Sequence, residues 1–291
     1  MSAASAIGAG RESTGPRVRE FAPGWAAAAL LGVAAALLAP GLLLFLLFEG
    51  FAFLTGPSAA TLLAREWHPI EGVFGLLPLV AGTLATSLLA LLLAFPISLG
   101  TALHARFFAG KRVRDLLEAV LGVLGGMPSV VLGLFGTFWI LPHLGPSLGS
   151  GVVVLALMIT PTLALLSLGA LRQVPEELLI DGARLGLRRE QVILRLALVR
   201  ARPGILAAAA LALSRALGEA LAVEMVCGNV PNLPTGLTVP VRTLTTTLVQ
   251  EFEYARETHA QGLHLVALTV VLLATLACGL GQKLARRGGT A

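Results

Sequence analysis

Charged residues are scarce: Asp, Glu, Lys and Arg make up 13% of the 291 residues, about half the share of a soluble globular domain. That deficit argues for a bilayer environment. Lysine occurs only at Lys111 and Lys283, and Gly110-Lys111 runs into Arg112 with alanine at position 105. No G-x-x-x-x-G-K-[ST] loop can be read, so the chain does not bind ATP in the P-loop manner. The two cysteines, Cys227 and Cys278, stand far apart and lack metal spacing. The histidines His68, His104, His143, His259 and His264 are dispersed, and the last two are separated by Gly262 in a poor helical spacing for a metal. We therefore expect no metal site, no cofactor and no catalytic constellation.

What is present is apolar. Hydrophobic residues make up 56% of the chain, with a mean hydropathy of +0.86. Six stretches are long enough to cross a hydrocarbon core, which needs about 20 apolar residues. They lie near residues 26–48, 73–103, 119–141, 150–171, 203–226 and 263–282. The first is too long for a typical signal-peptide core of roughly 7–15 residues, and reads as a retained signal anchor. The expected division is a disordered segment 1–22, an anchor with an outer segment at 23–72, and a helical block at 73–285. Trp67, beside Arg65 and Glu66, suits an interfacial anchor. Pro96, Pro128 and Pro161 fall inside spans and predict kinks.

Net charge is +5 with a pI near 10.2, and its distribution accounts for the excess. Seventeen of the lysines and arginines lie in the N-terminus, the 104–118 loop, the 172–202 loop and the tail. Three lie in the opposite loops, and Arg215 is left inside a span. The positive-inside rule places both termini and both basic loops in the cytoplasm.

The 172–202 loop differs from the others. Pro175-Glu176-Glu177 opens a helix, Gly186 interrupts it, and Leu187 to Leu196 resumes a helical pattern. Two short helices with a glycine between them also fit a DNA-binding helix-turn-helix. Spans on both sides tether this segment to the membrane, so it reads as a protein-docking knob and nucleic acid is not an expected partner. In the outer loop at 227–262, Leu244, Leu248 and Phe252 predict a surface helix between Thr243 and Arg256.

Ser214-Arg215-Ala216-Leu217-Gly218-Glu219 is the informative segment within a span. Arg215 and Glu219 are four residues apart and share one face if the helix continues. A charge at a helix centre costs about 2.5–3.5 kcal/mol on insertion scales, so both should face protein or water. Two readings stay open. Either they line a pathway, with Arg215 meeting an anionic substrate and Glu219 holding the arginine, or they form a structural ion pair. Gly125 to Gly133, containing Pro128 and Ser129, predicts close packing at a helix crossing.

These residues carry a resemblance. Arg202-Pro203-Gly204-Ile205 with Arg215 to Val223, and Met127-Pro128-Ser129-Val130-Val131-Leu132-Gly133, resemble the signature segments of phosphate-specific ABC importer permeases. Glu66-Trp67-x-Pro69, Phe74-Gly75, Pro78 and Gly262-Leu263-His264 resemble the PstC-type subunit in particular. The 172–202 loop is similar to the coupling loop of such permeases, which implies ATPase contacts at Asp181, Gly182, Ala183, Gly186 and Arg189. Two departures stand out: Asp181 precedes Gly186 by one residue too few, and the closing Leu-Pro is Leu198-Val199 here. The resemblance implies an all-α membrane protein with six transmembrane helices in the type I ABC importer permease fold. It also implies a bacterial inner-membrane location and no enzymatic activity in this chain. Its implied partners are a PstA-like second permease, a PstB-like ATPase dimer, a PstS-like external binding protein and phosphate. Pro128 and Ser129 are expected at a helix packing point or gate. Permeases for sulfate, molybdate or phosphonate compete closely, and a secondary transporter is a more distant alternative.

Overall fold

The computed structural model describes residues 22–289, so all but the last residue of the expected disordered segment 1–22 lies outside it. A mostly apolar run, with Pro40 inside it and Glu49 its one charge, makes a long first helix, α1 (Ala22–Leu54). The chain divides at Phe45 into an N-terminal unit and a second unit from Leu46 onward. Within the second unit the end of α1 packs on the last helix, because Gly50 leaves room against Leu265 and Leu268.

A short hairpin follows, with β1 (Trp67–His68) antiparallel to β2 (Val73–Phe74). Gly72, at φ +74°, makes its turn, a conformation glycine adopts without steric cost. Trp67 is only 3% exposed. Its ring packs edge-on against Phe74 at 5.6 Å, and Phe74 against Phe53 at 5.0 Å. The expectation of a lipid-interface anchor is thus corrected: aromatic partners and the half-buried Glu251 carboxylate draw the indole inward. Gly262 belongs to the same packing, since a side chain there would press on Phe74 and Phe53.

The bundle consists of α2 (Leu76–Leu103), α6 (Leu148–Arg172), α9 (Leu198–Leu217) and α12 (Glu257–Gly289). α6 is the central helix and packs on α2 and α9, while α12 lies along α9. Leu155, Ile159, Leu163 and Ala212 form its dry core. Small residues set the close approaches that replace hydrophobic drive between helices in lipid. A Cβ on Gly204 would sit 2.6 Å from that of Ala170, and one on Gly281 2.1 Å from that of Ala210.

Among the described residues five helices are long and apolar enough to span, and a bent pair taken as one span makes a sixth. That pair enlarges the kink expected at Pro128 in the 119–141 span into a sharp bend and moves the bounds of the span. α3 (Lys111–Gly126) starts well before it, and the rod Ser129–Leu144 follows at 94°. This rod contains α4 (Ser129–Phe135), a π turn (Gly136–Ile140) and α5 (Leu141–Leu144). The charges at Lys111, Arg112 and Arg114 do not end the helix, because α3 is amphipathic and they occupy its polar side. Pro128 then forbids helical backbone at Met127, which adopts φ −65°, ψ 137°. The fifth span, expected at 203–226, stops at Leu217 and resumes as one turn, α10 (Leu221–Glu224).

The 172–202 segment also differs in detail. α7 (Glu176–Arg184) is separate, but the expected second short helix is the start of the fifth span. α8 (Arg189–Gln191), a π turn (Val192–Ala197) and α9 run as one rod from Arg189 to Leu217. The expected surface helix in the outer loop is α11 (Leu244–Glu251). Its first turn is buried, not superficial: Leu244, Thr246 and Thr247 are fully inaccessible.

Candidate functional site

Two helix breaks and a proline within the unbroken α6 converge around Thr162, near the middle of that helix. The proline, Pro161, removes a backbone donor, and Thr160 Oγ1 bonds back to the Ala156 carbonyl at 2.7 Å. The first break is the bend at Met127–Pro128: Gly125, just before it, faces Pro161 and the Thr162 hydroxyl. The second is the end of α9, whose last turn carries Arg215. Arg215 Nη1 donates to Thr162 Oγ1 at 2.9 Å, and the guanidinium is exposed. A cation in the last turn complements the negative end of the helix dipole.

The segments beyond the breaks pack on each other. Gly133 and Gly136 of the rod leave no space for a side chain against Ala222, Met225, Val154 and Val226. This explains why the segment around Pro128 and Ser129 is so rich in small residues. Pro128 and Ser129 themselves stand at the bend, with Ser129 opening α4.

Arg215 and Glu219 do not share a helical face. The helix ends between them, and among the described residues they form no ion pair. Glu219 Oε1 instead accepts the Ala222 N–H at 3.1 Å, capping the next turn. Gly218, at the break, is what separates them. Neither the structural ion pair nor the holding of Arg215 by Glu219, the contacts that the two open readings called for, is formed among the described residues, and the arginine charge faces outward from this chain.

At the basic end, α7 exposes Ala183 and Ile180, and Leu185 just beyond it is 83% exposed. Asp181 pairs with Arg184 at 3.1 Å on the same exposed surface. Gly182 is buried, with Leu196, Val192 and Leu187 around the place a side chain would fill. It lets α7 lie against the π turn that begins the fifth span. Gly186 has φ +82° and reverses the chain between the two. Arg189, itself exposed, reaches the turn after α2: its Nη2 donates to the Phe107 carbonyl, and its guanidinium lies 4.7 Å from the Phe108 ring centre. Arg106–Glu176 at 3.6 Å and the bidentate Arg172–Glu118 pair add to this belt. Of these contacts only Arg106–Glu176 holds α7 itself, at the turn that follows α2, while Arg172–Glu118 joins the end of α6 to α3.

The outer end holds a group that sequence reading missed. The Glu251 carboxylate accepts Trp67 Nε1 at 2.9–3.0 Å and Arg242 Nη1 at 2.6 Å, and His259 Nε2 lies 2.9 Å from it. Trp67 and Glu251 are 184 positions apart, so no local pattern signals the contact. Among the described residues no group of three or more His, Cys, Asp or Glu side chains could hold a metal.

Comparison with known proteins places this geometry. The family described as "Binding-protein-dependent transport system inner membrane component" matches residues 94–287. The phosphate transport system permease protein PstC 1 of Mycobacterium tuberculosis is 33% identical over 256 residues, covering 75% of each chain. PstC of Mesorhizobium japonicum is 31% identical over 258 residues, covering 77% of this chain and 76% of its own. A structure of the MetNI methionine ABC transporter, in an inward-facing conformation, superposes with a TM-score of 0.63 at 18% identity. It covers 77% of this chain and 99% of its own, and at that identity it supports the type I importer permease fold alone. A helical bundle broken at two spans, a short exposed helix at its basic end and a match over residues 94–287 make one conclusion: this chain belongs to the family of inner-membrane permease components of binding-protein-dependent ABC transport systems.

Proposed function

We propose that this chain is the PstC-type permease subunit of an ATP-driven importer of inorganic phosphate. The observation that carries the reading is the exposed guanidinium of Arg215, held by Thr162 at mid-depth in the bundle. A charge there is stable only against protein or water. A second, PstA-like permease covering this surface would enclose a water-filled path, with Arg215 supplying positive potential to an anion. The curated relatives are phosphate permeases by name, which supports phosphate over other oxyanions. Glu219 contributes by holding the break in place, and its carboxylate flanks the path without neutralising the arginine. Pro128 and Ser129 form the flexible point of the broken span, and we assign them to a gate.

ATP hydrolysis belongs to a separate PstB-like dimer, and this subunit is not an enzyme. The apolar tip formed by Ile180, Ala183 and Leu185, with Asp181 and Arg184 beside it, is the docking element for that dimer. Gly182 and Gly186 shape the element, and Arg189 passes its displacement to the end of α2. The charge asymmetry supports a bacterial inner-membrane location, with both termini and the basic end in the cytoplasm. A PstS-like binding protein then delivers phosphate at the opposite face.

The test is uptake of labelled phosphate by vesicles reconstituted with the full complex. Uptake should require ATP on the coupling side and this subunit, and excess sulfate, molybdate or phosphonate should leave it unchanged. Uptake that proceeds without ATP, or that sulfate suppresses as well as phosphate does, would contradict the proposal.

A further inference from the structure

The outer segment after α10 threads into the bundle instead of covering it. A Cβ on Gly82 of α2 would lie 2.4 Å from the Arg242 carbonyl, so the chain at Val241–Arg242 runs directly against that helix. Val241 donates its N–H to the Cys227 carbonyl at 3.0 Å. The Leu244 N–H donates to the hydroxyl of Thr83, itself in α2, at 2.9 Å. Thr243 and Thr246 cap α11 reciprocally, so Thr245 is not needed for the cap. Its hydroxyl donates to the Glu219 carbonyl at 2.6 Å and lies 3.0 Å from Thr243 Oγ1, whose proton it can accept.

That carbonyl lies at the break where α9 ends. Backbone groups freed at a helix end need partners, and at bilayer depth water cannot supply them freely. The Gly218 and Glu219 N–H groups bond back to Ser214 and Ala216 at 3.3 Å each, and the Glu219 carboxylate caps Ala222. Thr245 completes the set. The far end of α11 is Glu251, anchored by Trp67, Arg242 and His259, with Arg242 Nε also donating to the Asn229 carbonyl at 3.0 Å. One short, rigid helix thus joins the outer cap to the backbone beside Arg215.

We infer that residues 227–251 are a re-entrant latch for the substrate path, and that Thr245 is its positioning residue, fixing the Glu219 backbone so that the Arg215 turn keeps its place. This role rests on the proposed path at Arg215. Displacement of the outer cap, where an external binding protein would dock, reaches the path through α11.

The test uses the complete transporter in vesicles with Thr245→Val, which keeps shape and loses the donor, and Thr245→Ser, which keeps the donor. Loss of the donor to the Glu219 carbonyl, with the contact to Thr243, predicts that maximal phosphate uptake falls about ten-fold in the valine variant, with half-saturation for the liganded binding protein unchanged. The serine variant should transport like wild type. Amide exchange at residues 218–222 should accelerate about ten-fold in the valine variant, with α2 unchanged. Glu251→Gln, which weakens only the far anchor, should also accelerate exchange at 218–222, a result that a purely local role for Thr245 does not give. Equal losses in the serine and valine variants, or unchanged exchange at 218–222 in Glu251→Gln, would overturn the latch. Arg215→Gln separates the two ideas. Normal uptake by it overturns the path and this role together. Loss of uptake by it, with Thr245→Val at wild-type rate and protection, overturns the latch alone.

Discussion

Arg215 keeps its charge at mid-depth by three local means: the end of its helix, the Thr162 hydroxyl and exposure away from this chain's own core. A charged donor to a neutral hydroxyl is worth about 1.5–3 kcal/mol. Thr162→Val should therefore leave the complex assembled but lower phosphate uptake roughly ten-fold or more, as read by initial rates. The position of Arg215 was legible in the sequence, because a lone arginine in a span has few possible meanings. Its separation from Glu219 was not, because a four-residue spacing means one face only while the helix lasts, and Gly218 ends it. Cys227 gives a second check at this scale. Its thiol is buried against Gly151, outside the spanning helices, and burial pushes its pKa up to about 12. It stays a neutral thiol through the range where an ordinary cysteine ionises. In a Cys278→Ser background, maleimide near pH 8 should label it only after denaturation, since the thiolate is the reactive form; rapid labelling of the folded protein would contradict its burial.

The helices show where pattern reading works and where it stops. α2, α6 and α12 follow from long uncharged runs, and the opening of α7 from Pro175 with Glu176 and Glu177. The span around Pro128 was legible as interrupted, but the size of the bend was not. It depends on Gly133 and Gly136 fitting against Ala222 and Val226 far along the chain. α11 was legible as a helix and misplaced as a surface one, because a run of threonines looks polar until their hydroxyls are seen bonded to one another and to the backbone. Close helix contacts give the prediction at this scale. Gly281→Leu forces a side chain into Ala210 and should destabilise the complex by about 1–3 kcal/mol, visible as a lower melting temperature in detergent. Gly182→Ala should cost little, since only the tip of Leu196 must move. Leu185→Asp should sharply reduce copurification of the ATPase without lowering the melting temperature, because Leu185 is exposed.

For the whole molecule, charge asymmetry sets the orientation that the account requires. Leu185 and Leu63 are 83% and 86% exposed near opposite ends of the bundle. With the native cysteines removed, Leu185→Cys should react with an impermeant maleimide in inside-out vesicles alone, and Leu63→Cys in right-side-out vesicles alone. Under the proposed function, displacement of α7 would reach the turn after α2 through Arg106–Glu176, and the bends around Thr162 would open or close beside Arg215. Most of this architecture was legible from composition, loop charges and the signature segments. The Trp67–Glu251–Arg242–His259 group was not, since its members meet only in the folded chain. The most direct measurement of the central claim is ATP-driven phosphate uptake by the reconstituted complex carrying Arg215→Gln. The account predicts a fully assembled complex with intact ATP hydrolysis and no uptake above background; uptake at the wild-type rate would contradict it.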